Sequence, residues 1–230
     1  MAIQKLDLHT GYALFERSFH ETEMHRHYGI ELVYCQEGTF DLFTSKIKHK
    51  NIYAAIIPSN TLHAFRCEGA RCQLLFLDPL SPWGNYVSTN YRMDPEQDVL
   101  ANPVGISNFF NLQLPTYTLQ EQSTIELDKR IGKCIVAIQN QLEDDKLSIK
   151  ALSLEACLSE SRLSHLFKDQ VGTSIRQYIL WNRLSLALSK AVEGDSLTAA
   201  AHAAGFVDSS HFNKVFVQTF GSNPLQTLKG

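Results

Sequence analysis

Two stretches in the second half of the chain repeat each other. "SRLSHLFKDQVG", beginning at Ser161, and "SHFNKVFVQTFG", beginning at Ser210, align without gaps at an offset of 49 residues. A repeat of this kind restricts the fold more than any bulk property. Leu163, Leu166, Phe167 and Val171 in the first copy meet Phe212, Val215, Phe216 and Phe220 in the second, and this spacing marks one face of a helix. Each copy stops at a glycine, Gly172 or Gly221, suited to a left-handed helix end. Each also follows a shorter helical pattern and a turn: "SIKALSLEA" then "CLSES", and "SLTAAAHAA" then "GFVDS". Ser159 and Asp208 stand where helix N-caps belong, and Gly205 suits the turn. The pattern predicts helix, turn, helix twice, joined by a long amphipathic helix over 174–194.

The first half has a different period. "IELVYCQ" (30–36), "TFDLFTS" (39–45), "NIYAAIIP" (51–58), "LHAFRC" (62–67) and "CQLLFLD" (72–78) are short, rich in β-branched and aromatic residues, and separated by turn signals such as "EG" and "PSNT". They predict an antiparallel sandwich or small barrel. Residues 79–117 read as loop, with "SNFFNLQL" as a late strand or a helical turn. Helical period begins near Glu121, and "TIELDKRIGKCIVAIQNQL" lines up Ile125, Leu127, Ile131, Ile135, Ile138 and Leu142, with Val136 beside them. Strands first and helices second predict a two-domain α+β chain, all-β over 1–120 and all-α over 121–230.

Charge divides at the same place. Residues 1–128 carry 9 Lys and Arg against 15 Asp and Glu (−6), and residues 129–230 carry 12 against 9 (+3), which recovers the net −3. The five cysteines are odd in number and scattered, which argues against a disulfide framework and for a reducing compartment; Cys67 and Cys72 could pair. No apolar run approaches the ~20 residues of a membrane span, and the start has no apolar core of signal-peptide length, so the expectation is a cytoplasmic protein with no membrane partner.

Opposite the apolar face, the first copy offers Ser161, Arg162, Ser164, His165 and Lys168; the second offers Ser209, Ser210, His211, Asn213 and Lys214. Neither set contains an acid, although Glu160 and Asp169 flank the first. Small polar, basic and amide groups suit a helix lying in a major groove. Arg176, and Lys168 where it does not simply complement the helix dipole, are candidates for phosphate anchoring. The alternative for the repeat alone is a helical bundle with no ligand.

Residues 130–228 resemble the AraC/XylS family of bacterial transcription regulators. The resemblance is carried by "LSLEACLSESRLSHLFKDQVGTSIRQYILWNRL" and "AAAHAAGFVDSSHFNKVFVQTFGSNPLQTLK", with Gly205-Phe206, Ser210-His211-Phe212, Phe216, Phe220-Gly221 and Pro224 in the family's positions. It implies two helix-turn-helix units reading successive major grooves of promoter DNA with the residues named above. It also implies a small-molecule effector, a homodimer and RNA polymerase as partners. Two departures stand out: "AAAHAAG" replaces the usual isoleucine-alanine pair, which predicts looser packing, and "TLKG" replaces a tyrosine-arginine ending.

The first half resembles the cupin barrel that accompanies this family. His25, His27, Glu31 and Gly38 match its first motif; Pro58 and His63 match the second, with Asn51 at the glycine position. In a continuous strand 25, 27 and 31 share a face with Val33 and Cys35, unless a bulge at Gly29 intervenes. The resemblance implies an effector site at His25, His27, Glu31, His63 and Cys35. The first four, with His63 completing the set, suit a divalent transition metal; the same motif also serves metal-free pockets. His20 and His49 read as surface residues. No catalytic residue is assigned, and the reading is not an enzyme; the alternative is a metal-dependent cupin enzyme, a dioxygenase or isomerase, with a helical appendage.

Overall fold

A computed structural model describes residues 2–7, 11–18, 21–67, 69–91, 98–111, 126–143 and 147–224. The chain divides into two compact units, Met1–Thr124 together with Phe216–Gly230, and Ile125–Val215.

The first unit is built from strands β1 (Ala2–Asp7), β2 (Tyr12–Ser18), β3 (Ile30–Glu37), β4 (Phe40–Thr44), β5 (Lys48–Ile52), β6 (Ala54–Ile57), β7 (His63–Arg66), β8 (Arg71–Leu77) and β9 (Leu100–Ala101). They form an antiparallel six-stranded sheet, β1-β2-β8-β3-β6-β9, and a three-stranded sheet, β5-β4-β7. β3, β6 and β8 are apolar nearly throughout because both of their faces are covered. One face carries Ile30, Leu32, Ile56, Leu75 and Leu77, which pack with Trp83, Val87, Ile106, Phe109 and Phe110. The other carries Glu31, Val33, Ile57, Leu74 and Phe76, which the register places side by side.

Several expectations need correction. "NIYAAIIP" is not one strand: the chain leaves the small sheet at Ile52 and enters the large one at Ala54. Asn51 is left-handed (φ 54°), the conformation that glycine would otherwise supply, and its N–H donates to Asp41 Oδ1. "SPWGN" is not a loop: Pro82–Asn90 is helix α1, capped by Ser81, whose Oγ accepts from Gly84 N–H. "SNFFNLQL" opens as a helical turn, α2 (Ser107–Phe110). Strands β1 and β2 had no counterpart in the sequence reading. Cys35 and Cys72 form a disulfide, because the β3–β8 register sets them opposite each other with Cα atoms 4.2 Å apart. Cys67 stays free, its sulfur 3.9 Å from that of Cys72.

The second unit contains α3 (Lys129–Asn140), α4 (Ile149–Glu155), α5 (Glu160–Val171), α6 (Ile175–Val192) and α7 (Leu197–Ala203), and α8 (Ser209–Phe220) begins in it. α3 starts later than expected and buries Ile131, Cys134 and Ile138, while Val136 is exposed. The start of the predicted helical period, 121–125, lies outside the described residues, as do His20 and the closing "TLKG". Ser159 caps α5 by accepting from Arg162 N–H, and Asp208 caps α8 by accepting from His211 N–H at 2.7 Å. Gly172 ends α5 in the left-handed conformation. Gly205 has φ 82°, and a Cβ there would strike the Leu142 carbonyl and the Arg183 guanidinium, so both conformation and space demand glycine. Ala200 and Ala201 of α7, and Ala204 just after it, are fully buried.

Candidate functional site

Four polar side chains meet in the interior of the first unit: His25, His27, Glu31 and His63, none more than 5% exposed. Three different elements supply them. Glu31 is the second residue of β3 in the large sheet, and its cross-strand partners are Ile57 and Phe76. His63 opens β7 in the small sheet. His25 and His27 lie in the segment before β3, which is not a continuation of that strand. That segment runs beside 60–63: His25 N–H and His63 N–H each donate to the other's carbonyl at 2.9 Å, and Asn60 N–H donates to His27 O at 2.7 Å. Strand parity therefore gave the right association for the wrong reason. The histidines reach Glu31 by pairing with the small sheet.

Each imidazole is fixed from behind. His25 Nδ1 donates to the Glu23 carbonyl, His27 Nδ1 to that of Gly29 and His63 Nδ1 to that of Thr61, each at 2.8 Å. A carbonyl only accepts, so every Nδ1 carries the hydrogen and every Nε2 is turned to the other side of its ring. There, His27 Nε2 and His63 Nε2 both stand 3.1 Å from Glu31 Oε2. One ligand atom from each of the four residues lies within 4.8 Å of all the others. Burial opposes ionisation of Glu31, yet the hydrogen bonds and positive charge of His27 and His63 outweigh it and hold the carboxyl well below the usual carboxylate range. Burial, and then the charges of His63 and His27, push His25 down to about 3, which keeps that ring neutral.

Cys35 is not in this group, since its sulfur is bonded to Cys72. His49 is half-buried rather than a surface residue. The three carbonyls that orient the rings escaped the sequence reading; only a two-residue spacing from each histidine hints at them.

The second candidate surface lies on α5 and α8. Leu163, Phe167 and Val171 are buried along α5, and Phe212, Val215 and Phe216 along α8. The opposite sides leave Ser161, Arg162, His165, Lys168, Ser210, Asn213 and Lys214 exposed. Ser164, Ser209 and His211 are half-buried: the Ser164 hydroxyl donates to the Glu160 carbonyl, and the His211 ring meets Phe206 edge-on. Lys168, His165 and Ser164 line a concavity of about 240 Å³ with Ser174 and Arg176 at the start of α6. Two cations thus share one cleft with a helix N-terminus.

Residues 152–230 match a family model described as a helix-turn-helix domain. The arabinose operon regulatory protein of Escherichia coli is 30% identical over 105 residues, covering 45% of this chain and 36% of that protein. The matched relatives are regulators of transcription, and the part of this chain they share is its helical half. The transcriptional regulator MtrA of Neisseria gonorrhoeae is 28% identical over 173 residues, covering 68% of this chain and 56% of that protein. The matches span between about a third and a little over half of these curated relatives. Among solved structures, ToxT of Vibrio cholerae superposes with a TM-score of 0.64 at 14% identity over 95% of this chain and 98% of that one, a likeness of fold. ToxT with a bound unsaturated fatty acid gives 0.62 at 13% identity, covering 99% of each chain. The relatives named here are regulators of transcription, none of them named as an enzyme. Among the described residues no helix is long and apolar enough to cross a membrane.

Proposed function

We propose that this chain is a sequence-specific DNA-binding regulator of the AraC/XylS type, controlled through its first unit. The observation that carries the reading is the pair of capped helices, α5 and α8. Each buries one apolar face and leaves exposed small polar and basic side chains, with an amide on α8 and with the acids Glu160 and Asp169 flanking the set on α5. α4 with α5, and α7 with α8, are the two helix-turn-helix units, and α6 is the helix between them. Residues 121–230 form the DNA-binding domain and 1–120 the sensor, whose two sheets are the cupin-like part. Ser161, Arg162, Ser164 and His165, and Ser209, Ser210, His211, Asn213 and Lys214, meet base edges; Lys168 and Arg176 meet phosphates in their shared cleft. The fatty-acid complex of ToxT supports a small-molecule effector in the sensor. The cluster of His25, His27, Glu31 and His63 is the control point, and Cys35 stands beyond it on the same strand. A cytoplasmic homodimer that meets RNA polymerase belongs to the same reading.

Selection of bound fragments from random DNA, followed by anisotropy titration against the selected and a scrambled site, tests it. The intact chain prefers the selected site by at least ~10³-fold. Ser210→Ala with Asn213→Ala removes most of that preference and leaves the scrambled affinity unchanged. Equal affinity for both sites sinks the proposal.

A further inference from the structure

Three sulfurs meet in the first unit, and only two of them are bonded. Cys35 of β3 and Cys72 of β8 stand opposite each other in the strand register and form the disulfide. Cys67, the residue after β7, keeps its thiol, and its Sγ lies 3.9 Å from Cys72 Sγ. All three cysteines are buried, none more than 4% exposed. The thiol is held in position. The carbonyls of Ala70 and Thr39 lie 3.7 and 3.8 Å from its sulfur and accept the one S–H hydrogen between them, which leaves a lone pair for Cys72. Ala70 in turn packs on the turn after β3, where a Cβ on Gly38 would come within 2.8 Å of the Ala70 Cβ. A free thiol in contact with a disulfide is the arrangement from which exchange proceeds.

We propose that Cys35, Cys67 and Cys72 form an internal thiol–disulfide exchange site, with Cys67 as the attacking thiol and Cys35 as the leaving one. Cys67 gives up its proton, and its thiolate attacks Cys72 Sγ. A Cys67–Cys72 bond forms, the Cys35–Cys72 bond breaks, and Cys35 departs as a thiolate that takes up a proton. One disulfide and one thiol stand on each side of the step, so no electrons enter or leave. To reach the ~2.05 Å of a bonded pair the sulfurs close by roughly 2 Å, a movement on the scale of a side-chain torsion. Burial keeps dissolved thiols away from the Cys35–Cys72 bond, whereas Cys67 already touches it. The exchange moves a cross-link between strand pairs. Bonded to Cys35, Cys72 ties β3 to β8 within the large sheet; bonded to Cys67, it ties the end of β7, in the small sheet, to β8. Cys35 follows Glu31 by four residues and Cys67 follows His63 by four, so each setting fixes a different one of the strands that carry the buried cluster. Disulfides of cytoplasmic proteins are mostly transient and redox-sensing, and a bond with its own exchange partner is of that kind. The first unit thereby holds a covalent setting that goes beyond the DNA reading and does not depend on it.

The full chain is oxidised with oxidised glutathione, which becomes two thiols as it takes two electrons and two protons from a cysteine pair. One sample is oxidised folded; another is oxidised in guanidinium, freed of glutathione and refolded. Both stand in mildly alkaline buffer and are quenched with acid. Free thiols are then blocked with N-ethylmaleimide in guanidinium before trypsin digestion and mass spectrometry. Cleavage after Arg66 and Arg71 puts Cys67 and Cys72 on separate peptides, so each linkage has its own mass. Both linkages, Cys35–Cys72 and Cys67–Cys72, are expected in one ratio from the two samples, unchanged on tenfold dilution, as exchange within a single chain requires. Cys67→Ser loses the second linkage entirely, and Cys35→Ser carries that linkage alone. Far-UV circular dichroism shows whether each variant folds; where one does not, the wild-type ratios decide. Cys35–Cys72 alone from both samples, with Cys67 fully labelled, overturns the proposal. So do two ratios that stay different, a ratio that shifts on dilution, or a chain in which no disulfide forms.

Discussion

Asp78 shows how much one buried carboxyl can impose. It accepts from Leu80 N–H at 2.8 Å and from the Tyr28 hydroxyl at 3.5 Å, but burial outweighs both bonds and pushes its pKa up to about 6. The native state therefore holds this proton more tightly than the unfolded chain. The contribution is fully present below the ordinary aspartate value near 4 and is lost as pH rises through about 6. On that basis Asp78→Asn gains stability relative to wild type across this window, by on the order of 2 kcal/mol, and the difference levels off above it. Urea melts of both proteins at half-unit steps from pH 4 to 7.5 check this; parallel curves refute it. Other residues were readable in advance. Asn51, at the place of a glycine in the motif the first half resembles, adopts the left-handed conformation (φ 54°) that glycine takes without cost.

At the scale of elements, the caps deserve the first test because both repeat helices depend on them. Ser159→Ala and Asp208→Ala each remove one side-chain acceptor from a helix start, from Arg162 N–H and His211 N–H respectively. Each costs about 1 kcal/mol in thermal or urea unfolding. Both caps also fix the first turn, from which Arg162 and His211 project. Site-specific DNA affinity is accordingly expected to fall further than scrambled-site affinity. Equal losses on both DNAs would show that the caps serve stability alone. Elements whose pattern was strongly periodic were legible: α5, α6, α7 and α8 lie within a few residues of the expected spans, as do β3, β4, β7 and β8. The misses have separate causes. Residues 51–58 alternate sheets at Tyr53, and Pro82–Asn90 is too weakly amphipathic to reveal a helix whose start is set by the Ser81 cap.

For the molecule as a whole, the charge division gives a measurable consequence. On the proposed function, a chain of net −3 would meet DNA through the part whose excess is +3, so few phosphates would be neutralised and the salt dependence is expected to be shallow. Lys168→Ala and Arg176→Ala, from the shared cleft, should each reduce the slope of log affinity against log salt by about 1 and weaken all sequences alike. An unchanged slope would remove that residue from the interface. The sequence alone determined the two classes of structure, the 49-residue repeat with its caps and glycines, and the identity of the four cluster residues. These are local matters, set by periodicity and by what each side chain can do at a helix end or turn. Only the tertiary structure decided that Cys35 pairs with Cys72, since residues 37 apart become neighbours only through strand register. It also decided how His25 and His27 reach Glu31, through pairing with the strand of His63. Which ring nitrogen faces inward depends on backbone carbonyls, of Glu23, Gly29 and Thr61, that no side-chain pattern records.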